Sequence, residues 1–225
     1  MDELLQKLSI CIEFGRISKE SKFPANMLGM DGALELTQKA LQAKLSPQQI
    51  LNIGLLEGMK RVGEKFRDNK IFLPEVLIAA KAMNACMELL KPYFQSGEIK
   101  LKGKVVLGTV MGDLHDIGKN IVKMVLNGGG WDVIDLGINV NSQKFVNAVR
   151  ENDVKIVGLS ALLTTTMVNM ELITKELKRE FNNLKVVVGG APLSDSFAKS
   201  INADNYFPDP QSFLNYLNNS LESTE

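Results

Sequence analysis

Histidine is almost missing from this chain: His115 is the single imidazole in 225 residues. Cysteine is scarce too. Cys11 and Cys86 lie far apart and neither belongs to a Cys-x-x-Cys pair, so they read as free structural thiols rather than zinc ligands or a disulfide framework. Net charge is absent: 26 Lys and Arg balance 26 Asp and Glu, which leaves no basic excess for nucleic acid. There is no run of 18 apolar residues to cross a membrane, and the acidic start Met1-Asp2-Glu3 is unlike a signal peptide. These absences lead to an expected cytoplasmic location. The apolar share of 45% and charged share of 23% are those of an ordinary globular chain, long enough for one large domain or two small ones.

Helical spacing dominates residues 1–95. Leu4, Leu5, Leu8, Cys11 and Ile12 mark a first helix. Lys22 to Met30, with Pro24 and Gly29, reads as a loop. Asp31 is the expected N-cap of a second helix over 32–44. Ser46-Pro47-Gln48-Gln49 opens a third, with Ser as N-cap and Pro in the first turn. That helix runs through Ile50, Ile53, Leu56, Met59, Val62 and Phe66 to a break at Asp68-Asn69-Lys70. Pro74 opens a fourth, through Val76, Leu77, Ala80, Met83, Met87 and Leu90, expected to close at Pro92. Four helices with short joints predict a four-helix bundle. Its corner Lys70-Ile71-Phe72-Leu73-Pro74 is unusually apolar, which suits either a plug at the bundle end or a cover over something in the next domain.

After a linker at 96–102 the period changes. β-Branched runs occur at Lys104–Val110, Trp131–Leu136, Val154–Ser160 and Leu184–Gly189, with a short fifth at Asn205–Phe207. Helical patterns separate them, and the tail from Leu214 to Glu225 reads as a last amphipathic helix with a fraying end. Alternation at this spacing predicts a five-stranded parallel sheet covered on both faces, a flavodoxin-like (Rossmann-type) domain over 103–225, in which ligands bind beyond the carboxyl ends of the strands.

Those ends carry the polar and Gly-rich loops: Gly112-Asp113-Leu114-His115-Asp116-Ile117-Gly118, then Ser160 to Thr166, then Gly189-Gly190-Ala191-Pro192. Glycines there let backbone approach a bulky ligand, or serve turn geometry alone. No Walker A loop follows the first strand, Gly108, Gly112 and Gly118 are misspaced for a dinucleotide fingerprint, and no Gly-x-Ser-x-Gly nucleophile elbow exists. A receiver domain would leave both His115 and the helical half unexplained.

Asp113-x-His115-x-x-Gly118, then Ser160-x-Leu162, then Gly189-Gly190 after 26 intervening residues, resembles the cobalamin-binding signature of methionine synthase and its relatives. Gly58-Met59-x-x-Val62-Gly63-x-x-Phe66 and Phe72-Leu73-Pro74-x-Val76 are similar to the helical cap that precedes that domain. With no other catalytic domain in the sequence, the resemblance is greatest to the corrinoid proteins of anaerobic methyltransferase systems.

The resemblance implies a cobalamin or related corrinoid, alternating between cob(I)alamin and methylcob(III)alamin, with cobalt ligated from below by His115. It implies that Asp113 orients the imidazole, with Thr166 standing where the relatives carry a serine. Gly112, Leu114, Asp116, Ile117 and Gly118 complete the first loop of the cofactor site. Ser160, Leu162, Thr164, Gly189 and Gly190 would line a slot for the nucleotide tail, while Phe66, Leu73 and Val76 would shield the upper face as a cap that swings on the 96–102 linker.

On this expectation the chain is a methyl carrier and not a complete enzyme, with no catalytic side chain of its own. A substrate:corrinoid methyltransferase loads it, a corrinoid:acceptor methyltransferase unloads it to tetrahydrofolate, methanopterin or coenzyme M, and a reductive activator rescues it. Methoxyaromatics (O-demethylation) or quaternary amines head the expected donors, with methanol, betaine and methylamines also served by such carriers. Two rivals are a cobalamin-dependent sensor and the small subunit of an adenosylcobalamin mutase. The photosensors' cap Trp and Glu-His pair are missing here, since the only Trp is Trp131, and the mutase subunits generally lack the four-helix cap.

Overall fold

The computed structural model describes residues 2–222. They divide into two compact units, one of residues 2–101 with Gly128–Gly130, the other of the remainder from Lys102 onward.

The helical unit holds four helices. α1 is Asp2–Glu13 and α2 is Ala33–Gln42. α3 is a continuous run, 47–67, in which Ile50–Leu56 is wound as π-helix between α-helical Pro47–Gln49 and Glu57–Arg67. α4 is Leu73–Gln95. Each buries the stripe that its spacing marks: Leu5, Leu8, Cys11 and Ile12 on α1; Leu36, Thr37 and Ala40 on α2; Leu51, Leu55, Met59 and Val62 on α3; Ala79, Met83, Cys86 and Leu90 on α4. α1 packs on the other three, and α4 also packs on α2 and α3. The loop between α1 and α2 wraps the wholly buried Arg16, whose guanidinium donates to the carbonyls of Lys19, Ser21 and Met30.

Two helix ends differ from expectation, and a third keeps its expected cap residue without a side-chain cap bond. The N-cap of α2 is Gly32, not Asp31: Glu35 reaches back to accept the Gly32 N–H at 2.8 Å, while Asp31 pairs with Lys39. Ser46 occupies the N-cap of α3 but makes no side-chain cap bond, the entry being set by Pro47. α4 passes through Pro92 to Gln95, because a proline one turn from the end removes a single helical bond, and the Ser96 N–H still reaches the Pro92 carbonyl at 3.0 Å.

Gly58 sits where α3 crosses α1. A Cβ there would lie 2.6 Å from the Ser9 carbonyl oxygen and 2.7 Å from Ile12 Cβ, and a main-chain oxygen cannot rotate aside. Gly58→Ala is expected to cost about 1–3 kcal/mol, as overpacked core substitutions do, read as a fall in the denaturation midpoint. The thiols give a second expectation. Burial pushes Cys11 up to about 11 and Cys86 up to about 12, so both stay protonated at pH 8. A thiol-reactive dye should therefore label neither in the native protein and both in denaturant.

The second unit is a parallel sheet: β1 Lys104–Thr109, β2 Asp132–Asp135, β3 Ile156–Ser160, β4 Lys185–Gly189 and β5 Asn205–Tyr206, in the order β2-β1-β3-β4-β5. This is the flavodoxin-like strand order. The helices are α5 Ile117–Gly128, α6 Ser142–Asn152, α7 Met167–Glu180, α8 Asp195–Ser200 and α9 Pro210–Glu222. Successive strand residues serve opposite faces. Val105 and Val187 join Val125, Trp131 and Leu217 in one core, and Val106, Val157, Val186 and Val188 join Phe145, Met170 and Leu177 in the other. The tail expected to fray ends at 223–225, outside the described residues. No helix among the described residues is long and apolar enough to cross a membrane.

Candidate functional site

The site begins where β1 ends. β1 lies between β2 and β3, so the loop after Thr109 emerges between the loops that follow its two neighbours. Thr109 is buried, and its hydroxyl donates to the His115 carbonyl at 3.0 Å, which folds the loop back over the strand end. Gly112 takes a left-handed φ of +84°, and the Asp113 N–H donates to the Val110 carbonyl at 3.1 Å.

Asp113 is completely buried. Its Oδ1 accepts the His115 backbone N–H at 3.0 Å and lies 2.8 Å from His115 Nδ1. Its Oδ2 accepts the N–H groups of Leu162 at 2.8 Å and Leu163 at 3.2 Å, and the Thr166 hydroxyl at 2.9 Å. Burial by itself would raise the carboxyl pKa; the hydrogen bonds from Leu162, His115 and Thr166 outweigh it and hold the group well below the usual carboxylate range. An ionised Oδ1 can only accept, so Nδ1 carries a proton, and in the neutral imidazole that tautomer leaves the lone pair on Nε2. Nε2 has no partner among the described residues, on a side chain 49% exposed.

Around this imidazole the surface is apolar. Met111, Leu114, Ile117, Ile138, Leu162 and Leu163 are all exposed, Leu114 and Ile117 to 65%. A soluble protein rarely shows so many large apolar side chains together without a ligand to cover them. Among the described residues no three His, Cys, Asp or Glu side chains converge as a metal-binding group. One imidazole with a free lone pair, set in an apolar bed, fits a metal whose remaining positions are filled by a flat macrocycle.

Three of the loops meet here. Asp113 ties the β1 loop to the β3 loop. Ser160, at the end of β3, accepts the Val110 N–H at 3.0 Å through its carbonyl, and Thr164 is exposed in the turn beyond. The β4 loop joins through the Ala161 N–H, 3.3 Å from the Gly189 carbonyl, and through Gly190, whose φ is +141°. Thr166 keeps its hydroxyl on Asp113 and also donates to the Leu163 carbonyl at 2.8 Å. Asp116 serves the first turn of α5, where its carboxylate and carbonyl accept from Asn120. Phe66, Leu73 and Val76 belong to the helical unit: Phe66 and Leu73 flank the α3–α4 corner partly exposed, and Val76 is buried.

Sequence reading missed several residues that frame the loop. Asn169 on α7 donates to the Met111 carbonyl at 2.7 Å. Asn139, after β2, accepts the Gly112 N–H at 2.8 Å. Lys119 is buried, its ammonium 2.7 Å from Asp135. The available signal was Asp135 itself, a carboxylate at the carboxyl end of the strand run Asp132-Val133-Ile134-Asp135.

Known proteins resemble this chain over most of its length. Two family models described as B12 binding domains match, one over residues 103–208 and one over 29–91. The trimethylamine corrinoid protein 1 of Methanosarcina acetivorans is 43% identical over 178 residues, 77% of this chain and 82% of that protein. The crystal structure of a cobalamin-binding protein from Desulfitobacterium hafniense is similar over 82% of this chain and 89% of that one, with 33% identity and a TM-score of 0.68. The methanol:cobalamin methyltransferase complex MtaBC of Methanosarcina barkeri has a chain similar over 98% of this chain and 80% of its own, with 27% identity and a TM-score of 0.83.

Proposed function

The chain belongs to the B12-binding corrinoid proteins, and from that premise we propose that it is a methyl carrier whose working ligand is His115. The observation that carries this reading is the Asp113–His115 clasp, which turns Nδ1 to the carboxylate and leaves Nε2 unpartnered on an apolar bed. When bound, the corrinoid supplies a cobalt atom able to accept and release a methyl group, which no side chain here can do.

The chain's own residues hold and shield. His115 would offer Nε2 to the metal. Asp113 fixes its tautomer and ring plane, and Leu162, Leu163 and Thr166 fix Asp113. Leu114, Ile117 and Leu162 give the macrocycle an apolar seat that excludes water. Ser160, Thr164, Gly189 and Gly190 border the slot for the tail. Phe66 and Leu73 would serve as the cap, Val76 would act from inside the helical unit where it is buried, and residues 96–102 would be the hinge. The carboxylate and imidazole are both committed to the ligand, so activation of donor and acceptor falls to partner methyltransferases. The trimethylamine relative supports an N-methylated amine as the methyl source. We also infer action in the cytoplasm, which the two free buried thiols support.

The test uses the chain's single histidine. Protein labelled with 15N-histidine is reconstituted with hydroxocobalamin, reduced to the cobalt(II) state and examined by EPR. The nitrogen splitting should change from the three lines of 14N to the two of 15N, and His115→Ala should lose the two-line pattern of the label. A splitting indifferent to the label would mean that the cofactor's own base, not His115, is the ligand.

A further inference from the structure

We propose that Asn139 is a positioning residue for His115, acting through the backbone of Gly112 and Asp113. This rests on the reading that His115 is the cobalt ligand.

Asn139 lies outside every motif, in the loop that joins β2 to α6. It brackets the turn ahead of Asp113 from both sides. Its Oδ1 accepts the Gly112 N–H at 2.8 Å, and its own N–H donates to the Asp113 carbonyl at 3.0 Å. The three outside donors to the Asp113 side chain, from Leu162, Leu163 and Thr166, all converge on Oδ2 and all come from the β3 side. Oδ1 is met only from within its own loop, by the His115 backbone N–H at 3.0 Å and by Nδ1 at 2.8 Å, so a shift of the loop backbone would turn Oδ1 and Nδ1 out of line, and hydrogen bonds weaken steeply with angle. Asn139 supplies the hold from the β2 side, on the backbone that sets where Oδ1 points.

Asn139 has a left-handed φ of +52°. Asparagine tolerates that region, and so does glycine. A residue present only for its backbone angle could thus be replaced by glycine without consequence. The next residue, Val140, is fixed independently, its N–H donating to the Thr109 carbonyl at 2.9 Å and its strand bridged to Val110. Asn139→Gly therefore removes the side-chain acceptor and little else. The lost bond is solvent-exposed, so its weight falls on ring position rather than on global stability.

Two readouts test this, one of them free of cofactor. In apo-protein labelled with 15N-histidine, the ring nitrogens of His115 report which one carries the proton. In the cobalt(II)-loaded protein, EPR gives the ratio of His-ligated to unligated molecules. Asn139→Gly should move protons from Nδ1 to Nε2 in the apo-protein and lower the ligated ratio about fivefold, the equivalent of one net hydrogen bond of about 1 kcal/mol. Asn139→Asp, which keeps an acceptor for Gly112, should restore both signals. Asn139→Ser, whose hydroxyl is too short to reach Gly112, repeats the removal should the glycine variant fold poorly. Wild-type signals in Asn139→Gly, or a lower melting temperature with unchanged signals, would overturn the proposal. The 15N label in the wild-type protein is the control: if the nitrogen splitting is indifferent to it, the ligand reading has failed, whereas if the splitting follows the label and Asn139→Gly is silent, the failure belongs to Asn139.

Discussion

Asp113→Ala is expected to lower the folding free energy by about 3 kcal/mol or more, and Asp113→Asn to leave a folded protein that cannot ligate cobalt through His115. Both follow from the donor count at one buried carboxylate. Removing it strips partners from the N–H groups of Leu162, Leu163 and His115 and from Nδ1, each lost partner costing about 1–3 kcal/mol where water cannot substitute. The Thr166 hydroxyl escapes, because it also reaches the Leu163 carbonyl. In the asparagine variant the side-chain oxygen must take the Oδ2 place, where three donors converge. Its NH2 then faces His115 Nδ1. Two donors cannot share that contact, so Nδ1 becomes the acceptor and the ring proton moves to Nε2, which occupies the lone pair that the metal needs. Denaturant titration reads the first effect and the cobalt(II) nitrogen splitting the second. The pH dependence has a definite sign. The folded-state pKa is depressed, so Asp113 contributes its full stability above the unfolded value of about 3.9 and loses it only as pH falls through the lower folded value. The stability gap between wild type and Asp113→Ala should stay flat from pH 8 to pH 5 and shrink only below about pH 4.

The sheet was legible because a two-sided parallel strand has little choice of residue. Val105-Val106-Leu107 and Val186-Val187-Val188 each feed both faces, and only uninterrupted β-branched or leucine runs do that. His115 and Asp113 were legible because a lone imidazole two residues from a carboxylate, at a strand end, has few structural duties. Asn139 and Asn169 were not, since an asparagine in a loop or first helical turn is the commonest kind of polar residue there, and its partner is a backbone atom that leaves no mark in sequence. Lys119 was hidden because a lysine near a helix start reads as solvated unless its distant acid is paired with it. The π-wound stretch of α3 was also invisible: its apolar spacing is close to that of an ordinary helix, and only packing decides the winding.

Gly190→Ala is expected to be the most damaging single methyl group in the sheet unit, and its damage should reach His115. The backbone there has φ +141°, which side-chain-bearing residues rarely adopt, and a Cβ would stand 1.9 Å from the Ala161 carbonyl oxygen. Neither obstacle yields by a rotamer change, because the opposing atom is main chain. Ala161 is the residue before Leu162, whose N–H holds Asp113 Oδ2 at 2.8 Å. Displacing Ala161 far enough to admit a methyl group draws that donor off the carboxylate, so a change in the β4 loop is felt at the next residue, in the ligand clasp. A loss of about 3 kcal/mol or more, or failure to accumulate as soluble protein, is the expected result, with reduced His ligation in whatever folds. Gly118→Ala supplies the contrast. Gly118 lies in the first turn of α5 with nothing within 4 Å of its notional Cβ, so alanine should leave stability unchanged or raise it by about 0.5–1 kcal/mol. That open space is on the loop that carries His115, where the macrocycle would rest. The variant should therefore fold as well as wild type yet bind hydroxocobalamin more weakly. If it binds with full affinity, Gly118 does not face the cofactor, and its place in the motif is owed to helix entry alone.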